Sequence, residues 1–341
     1  MKSERSQSPW LEPGWMERAG AWIDCELTRL GRTATGPIEQ PHVRPWSTIL
    51  RVPTADGAVY FKACARVLAH EVAVTQALAQ WRPDCVPDIL ASDPEEGWML
   101  MVDGGITVRE AIKVDGGRAE DGVRHWEKLL PRYAELQIEM ANHVEDLLAL
   151  GLPNRLLTTL PDQIETLLGN GDSLLVDQPD GLTSAELERL VGMKDHLAAL
   201  CDELAVAPIP ESIHHGDFHD ANIFLNDGKY VFFDWGDSSV SHPFFSLRTA
   251  FVVIEHFQGF KPLSPELMGL RDAYLEPWQP FGTHEQLVAT FDLSVRLSPL
   301  TSALAWNRVV SSLDPPLRTD YAGAVPSLLR EFLELEDKAN S

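Results

Sequence analysis

Residues 214–237 read HHGDFHDANIFLNDGKYVFFDWGD, and they set His214, His215, Asp217, His219, Asp220, Asn222, Asp234 and Asp237 beside apolar, strand-like runs. Polar groups of this kind at the edge of a packed core are costly unless a ligand or metal engages them. Ile213–His214, Ile223–Leu225 and Tyr230–Asp234 read as short strands. The Asp-Gly pair of Asn226-Asp227-Gly228 suits a tight hairpin. Any fold for this chain has to hold that polar loop and that hairpin together at one core edge.

The remaining pattern is β-rich first and helical afterwards. Pro13-Gly14 precedes a helical face of Trp15, Ala19, Trp22, Ile23, Leu27 and Leu30, which Gly31 ends. Ile49–Val52 and Ala58–Ala63 read as strands around a turn at Pro53–Gly57, while Pro37, Pro41 and Pro45 leave the preceding strand open. Residues 66–80 read as a helix, and Asp88–Ser92 and Trp98–Val102 as strands. Asp103-Gly104-Gly105 breaks the pattern, and Thr107 can cap a short helix through its hydroxyl. Residues 1–8 read as a frayed tail. At 341 residues the chain exceeds the roughly 250–300 at which a single core stops growing, so two lobes are expected. These are a β-rich lobe over 1–102 and a mostly helical lobe over 103–341 with one embedded hairpin, giving an α+β class.

Two chemistries compete for the polar run. Clustered His and Asp residues can ligate zinc, but the spacing of His214, His215, Asp217, His219 and Asp220 is not a recognised ligand set, and no distant His cluster completes it. Phosphoryl transfer fits better. Asp217 and Asn222 lie five residues apart on one loop, and Asp234 follows at the next strand end. Such a loop can put a carboxylate near an acceptor hydroxyl while the Asn amide oxygen and the second Asp hold Mg²⁺. Protein kinases use H-R-D-x-x-x-x-N and D-F-G for these tasks. This chain has H-G-D-x-x-x-x-N over His215–Asn222 and D-W-G over Asp234–Gly236.

Together, HHGDFHDANIF and FFDWGD resemble the aminoglycoside phosphotransferase family, whose fold is protein-kinase-like and shared with choline kinases and related small-molecule kinases. The resemblance implies a two-lobed kinase-like fold, ATP and Mg²⁺ as cofactors, Asp217 as the catalytic base or hydroxyl-orienting group, and Asn222 and Asp234 as metal ligands. His215 is expected to brace the loop by hydrogen bonds, and His214 and His219 to be structural; Asp220 and Asp237 either neighbour the metals or cap turns. Gly216 stands where protein kinases carry the Arg that pairs with an activation-loop phosphate, and only SSVSHPFFSLR follows Asp237 before the next helix. A small-molecule kinase that needs no phosphorylation to switch on is the expectation.

A kinase of this fold needs a strand Lys paired to a helix Glu. Lys62, in AVYFKA, is the one lysine between Lys2 and Lys113. Val67, Glu71, Val74 and Leu78 recur at helical spacing, which puts the Glu71 carboxylate on an apolar stripe where only a cation would make it tolerable. The expected pair is Lys62–Glu71. No GxGxxG precedes Lys62; Arg44–Ser47 is the candidate phosphate cover. The strand ending at Val102 resembles the kinase hinge, with backbone near Met101 to Asp103 expected to bind adenine.

The formal charge of −23 argues against nucleic acid and anionic membrane surfaces as partners and favours a cationic or amine-bearing acceptor. Locally, Asp217, Asp220 and Asp237 would crowd the catalytic region and draw in a positive acceptor. The polar N-terminus has no signal-peptide run and no apolar stretch is long enough to cross a membrane, so a cytoplasmic protein with reduced, buried cysteines at 25, 64, 85 and 201 is expected. The leading function is ATP-dependent phosphorylation of a small-molecule hydroxyl. The alternatives are a metabolite kinase for an amino sugar, amino alcohol or neutral sugar, and a nucleotide-binding pseudokinase. The joint presence of Lys62, Asp217, Asn222 and Asp234 argues against the last.

Overall fold

The structure, a computed structural model, describes residues 8–340. The chain forms two compact units: Met1–Ile106 with Ile223–Gly236 and Ser312–Arg318, and Thr107–Asn222 with Asp237–Ser311 and Thr319–Ser341.

The first unit is built on a five-stranded antiparallel sheet, in the order β1 (Glu39–Val43), β2 (Ser47–Thr54), β3 (Gly57–Cys64), β5 (Trp98–Val102), β4 (Ile89–Asp93). Helix α1 (Trp15–Arg29) buries Trp15, Ala19, Ile23 and Leu27, the face read from the sequence. Its Trp15 and Trp22 rings pack edge-on or tilted against Phe61 and Trp98, at centroid distances of 5.6–6.4 Å. The β2–β3 turn is tighter than expected. Pairing runs to Thr54↔Gly57, so Pro53 lies in the strand opposite Ala58. It sits beyond the last β1 pair, Glu39↔Arg51, where its missing N–H breaks no ladder bond on that side. Pro41 is likewise accommodated on the edge strand, next to a register shift.

The helix expected over 66–80 begins later. Cys64 N–H still bonds Gly97 O and Ala65 N–H bonds Trp46 O, so the chain turns through a 3₁₀ segment (Arg66–Leu68) before α2 (His70–Trp81) starts. Residues 1–7 of the expected tail lie outside the described residues, and Ser8 is buried with its hydroxyl on Pro45 O. In the hairpin Ile223–Asn226/Lys229–Phe232, Asp227 and Gly228 take φ of 48° and 77°, the left-handed pair of a two-residue turn. Its second strand ends at Phe232, short of the expected Asp234, because Asp234 itself turns to φ 66°.

In the second unit, Thr107 caps α3 (Val108–Val114) in a reciprocal capping box with Glu110. Helix α4 (Ala119–Met140) buries Trp126, Leu129, Leu130, Tyr133, Leu136, Gln137 and Met140 at helical spacing. The strand Ser212–His214 pairs antiparallel with Ser239–Ser241. A separate helical core gathers Ile164, Leu197, Leu200, Leu297, Leu329 and Phe332. The cysteines are free; Cys64, Cys85 and Cys201 are buried, whereas Cys25 is exposed because Ile23 and Leu27 define the opposite, inward face of α1. Among the described residues no helix is long and apolar enough to cross a membrane.

Candidate active site

Alternation along β3 aims Lys62 and Cys64 to one face, toward the first turn of α2, where Glu71 is 1% exposed. Lys62 Nζ lies 2.6 Å from Glu71 Oε1 and 2.6 Å from Asp234 Oδ1. The pairing drawn from periodicity is therefore present, with Asp234 as a second partner. Cys64 Sγ donates to the other Glu71 oxygen at 3.0 Å, and a Cβ on Gly236 would sit 3.1 Å from that same oxygen. Glu71 is thus enclosed on every side, which explains the glycine after Trp235.

Burial opposes a charge on Lys62, but Asp234 and Glu71 more than offset it, and its pKa rises above the usual lysine value. Glu71 is also shifted upward, by burial against the pull of Lys62. For an ion pair these directions conflict. The lysine shift follows from the geometry, since one ammonium has two carboxylate oxygens at 2.6 Å, whereas Glu71 must share that cation. Burial also pushes the Cys64 thiol up, so it remains a protonated donor.

Met101 is buried in β5 between Tyr60 and Ile89. Asp103 accepts from Gly105 N–H at 2.9 Å, folding the turn that follows. A Cβ at Gly104 would meet Phe224 at 2.8 Å and one at Gly105, at φ 90°, would meet Leu225 O at 2.6 Å, so the glycine pair lets this turn press against the hairpin. In the β1–β2 turn, Arg44 N–H donates to Ser47 O at 2.8 Å and Trp10 Nε1 donates to Arg44 O at 2.9 Å. His42, beside it, is held below the usual histidine range by burial and Arg44, against an upward pull from Asp234.

The loop after Ser212–His214 is compact. Gly216 has φ 81°, and a Cβ there would fall 2.3 Å from Asp237 O. His215 Nδ1 accepts Asp217 N–H at 3.3 Å, so this histidine does brace the loop. Asn222 Nδ2 donates to Asp217 O at 3.0 Å and to Oδ2 at 3.1 Å. His219 Nε2 lies 3.2 Å from the same Oδ2, while its Nδ1 accepts Ala221 N–H. The imidazole therefore donates through Nε2 even when neutral. Burial raises Asp217, but the bonds from His219 and Asn222 outweigh it and hold the carboxyl below its usual range.

These bonds leave two side-chain oxygens without a hydrogen-bond partner among the described residues, one in each unit. Asn222 spends its Nδ2 on Asp217, and its Oδ1 makes no hydrogen bond among the described residues. Asp234 is 40% exposed and gives only Oδ1 to Lys62. Amide and carboxylate oxygens are each ligand types that suit Mg²⁺, a hard cation that keeps much of its water.

Three relationships escaped the sequence. Asp220, left there as a metal neighbour or a cap, is taken by Arg109 of α3, whose Nε and Nη2 reach Oδ1 at 2.9 and 2.6 Å and whose guanidinium lies over the Phe257 ring. Asp237 lies within electrostatic reach of the buried Arg155 and the half-buried Arg308. His214 turns inward to Ser246 Oγ at 3.0 Å. None of the three has a sequence signal, the Arg109–Asp220 contact spanning 111 residues; the Cys64–Glu71 bond, also unread there, has one, the two-residue offset of Cys64 from Lys62 on a strand.

The model of the phosphotransferase enzyme family matches residues 47–275. No curated protein matches the chain by sequence. Among solved structures, the Plasmodium vivax ethanolamine kinase is similar with a TM-score of 0.62 at 13% identity, over 92% of this chain and 88% of that one. A choline kinase from Cryptosporidium parvum Iowa II gives 0.60 at 12%, over 89% of each. A type I macrolide 2′-phosphotransferase gives 0.57 at 14%, over 92% and 97%. At such identities these share the fold, the two-lobed, α+β protein-kinase-like fold expected from the motifs. The chain belongs to the phosphotransferase enzyme family.

Proposed function

We propose that this chain is an ATP-dependent small-molecule kinase that transfers the γ-phosphoryl group to an acceptor hydroxyl. The observation that carries the reading is Lys62 at 2.6 Å from both Glu71 and Asp234, in a chain whose other motif loop presents Asp217 bonded to Asn222. In the proposed roles, Lys62 holds the nucleotide's α- and β-phosphates and Glu71 holds Lys62. The backbone from Met101 to Asp103 takes adenine, and the Arg44–Ser47 turn covers the phosphates in place of a Gly-rich loop. Asn222 Oδ1 and Asp234 would hold Mg²⁺. When bound, the metal would neutralise charge on the transferring phosphoryl group. Asp217 accepts the acceptor's O–H and orients its oxygen; with its pKa held low, orientation is a larger part of its task than proton uptake.

For the acceptor we carry forward an amine-bearing hydroxyl compound, supported by the charge of −23. Of the three local carboxylates, Asp220 is paired with Arg109 and Asp237 lies within electrostatic reach of Arg155 and Arg308, which leaves Asp217 to draw in a cation. The test is ADP release from Mg-ATP with amino sugars, aminoglycosides, choline-like alcohols, neutral sugars and nucleosides, at low and moderate salt. An amine-bearing acceptor whose KM rises with salt is the expected result. A neutral best acceptor with a salt-indifferent KM would remove the acceptor class alone. Release no faster than with water across the whole panel would remove the kinase reading.

A further inference from the structure

Beneath the Asp217 loop, one side chain of α4 grips both flanks of that residue. Tyr133 is fully buried. Its ring stacks on Phe218, the residue after Asp217, at a centroid distance of 3.9 Å and an interplanar angle of 19°. Trp126, two helical turns earlier, closes the Phe218 ring from another side, edge-on at 5.9 Å. At the other end of the same ring, Tyr133 O–H donates to Ser246 Oγ at 2.8 Å. Ser246 Oγ also accepts His215 N–H at 3.3 Å, and it lies 3.0 Å from His214 Nδ1.

Ser246 Oγ also lies 3.3 Å from Gln137 Nε2, and the direction of its bond with His214 Nδ1 follows the imidazole tautomer. Gln137 fixes the surroundings: its Nε2 donates to Ile213 O and Pro243 O at 2.9 Å each, and its Oε1 accepts Tyr274 O–H at 2.6 Å. Asp217 therefore projects from a loop whose preceding peptide hangs on the Tyr133–Ser246 bond and whose following ring is stacked on Tyr133.

We propose that Tyr133 is a positioning residue for Asp217, setting the carboxylate's aim through Ser246 on one flank and Phe218 on the other. The inference rests on Asp217 being the acceptor-orienting carboxylate. Misplacing such a group by an ångström can cost about a hundredfold in rate, so loss of one of two supports should be clearly visible.

The experiment measures Mg-ATP turnover with water as the acceptor, and ADP affinity by calorimetry, in Y133F, F218L, S246A, Y133F/S246A and D217N. Calorimetric stoichiometry normalises each rate to folded protein. Y133F removes only the O–H, and F218L only the stacked ring. Each should lower kcat about tenfold with ADP affinity within about twofold of the parent. The Y133F/S246A double variant should be no slower than S246A, because both remove one link. Turnover lost in D217N but within about twofold of the parent in Y133F and F218L would overturn the positioning role and leave the Asp217 reading standing. Normal turnover in D217N would overturn both. A fall in Y133F or F218L matched by an equal loss of ADP affinity or of folded fraction would make Tyr133 a packing residue, and would overturn the proposal too.

Discussion

Lys62 Nζ lies 2.6 Å from Asp234 Oδ1, and Asp234 makes that contact from a left-handed backbone at φ 66°. A non-glycine residue in that region costs about 1–3 kcal/mol, which the surrounding contacts must over-determine. The ammonium is buried and the carboxylate is 40% exposed. Its other partner, Glu71, is wholly enclosed. Lys62→Ala should therefore destabilise the fold by about 3–5 kcal/mol, because it strands Glu71 as an unpaired buried carboxylate. Lys62→Met combined with Glu71→Leu should recover most of that loss while leaving nucleotide binding abolished. Urea midpoints read the first part and ADP calorimetry the second. An additive, still less stable double variant would show that the pair is not the source of the cost.

The thiol on Glu71 gives a second outcome. Cys64→Ala removes the donor to Oε2 and should cost about 1–3 kcal/mol, the penalty for an unsatisfied buried acceptor. It should also raise the KM for ATP, since Glu71 is freed to turn away from Lys62. Cys64→Ser keeps a donor and should lie near the parent on both counts. Equal effects of Ala and Ser would mean the site needs sulfur's volume and not its proton.

Much of this region is legible in the sequence. A carboxylate on the apolar face of 66–80 demanded a cation, and Lys62 was the lysine within reach; both are partners in the fold. The Asp227-Gly228 turn and the Thr107 cap were equally legible, because their causes lie within four residues. Long-range contacts left no such trace. Arg109 meets Asp220 and Tyr133 meets Ser246 across more than a hundred residues, and nothing periodic links them. The later start of α2 leaves no local trace, because the bonds that delay it, at Cys64 and Ala65, come from Gly97 and Trp46 in the turns just before Trp98–Val102 and Ser47–Thr54.

For the metal, Asp234→Ala should abolish the Mg²⁺ dependence of ATP affinity, and Asn222→Ala should weaken it less. Asn222→Ala also removes a donor from Asp217, so its turnover should fall beyond what metal affinity alone accounts for. Asp217→Asn should lose at least about a hundredfold in turnover with nucleotide affinity intact. Metal titrations at fixed ATP separate the three. An Asp234→Ala enzyme with unchanged metal-dependent affinity would sink the ligand assignment.

Gly216→Ala should inactivate the enzyme out of proportion to its size. The new methyl would lie 2.3 Å from Asp237 O, a backbone atom that cannot swing aside, and φ 81° disfavours any Cβ. The loop carrying Asp217 has to shift. Turnover should drop at least about tenfold, while ADP affinity, which the proposed roles assign to Lys62 and the hinge, changes little. Equal losses in both would indicate general unfolding.

Acid should weaken the fold through two buried imidazoles near this loop. His242 is fully enclosed, and burial alone drops its pKa from 6.5 to about 3. His214 is pushed well below its usual range, by burial first and then by Arg155. Both are depressed in the folded state, so the unfolded chain binds protons that the native one refuses. The sign follows: stability is full above about pH 6.5 and is lost as pH falls toward the folded values, by up to about 1.4 kcal/mol per unit for each histidine. His242 Nδ1 accepts Phe244 N–H as a helix cap, and its Nε2 has no partner. His242→Asn keeps a capping oxygen and removes the titration. Its unfolding free energy, followed by urea titration from pH 7.5 to 4.5, should therefore fall less steeply than the parent's. Parallel slopes would place the acid sensitivity elsewhere.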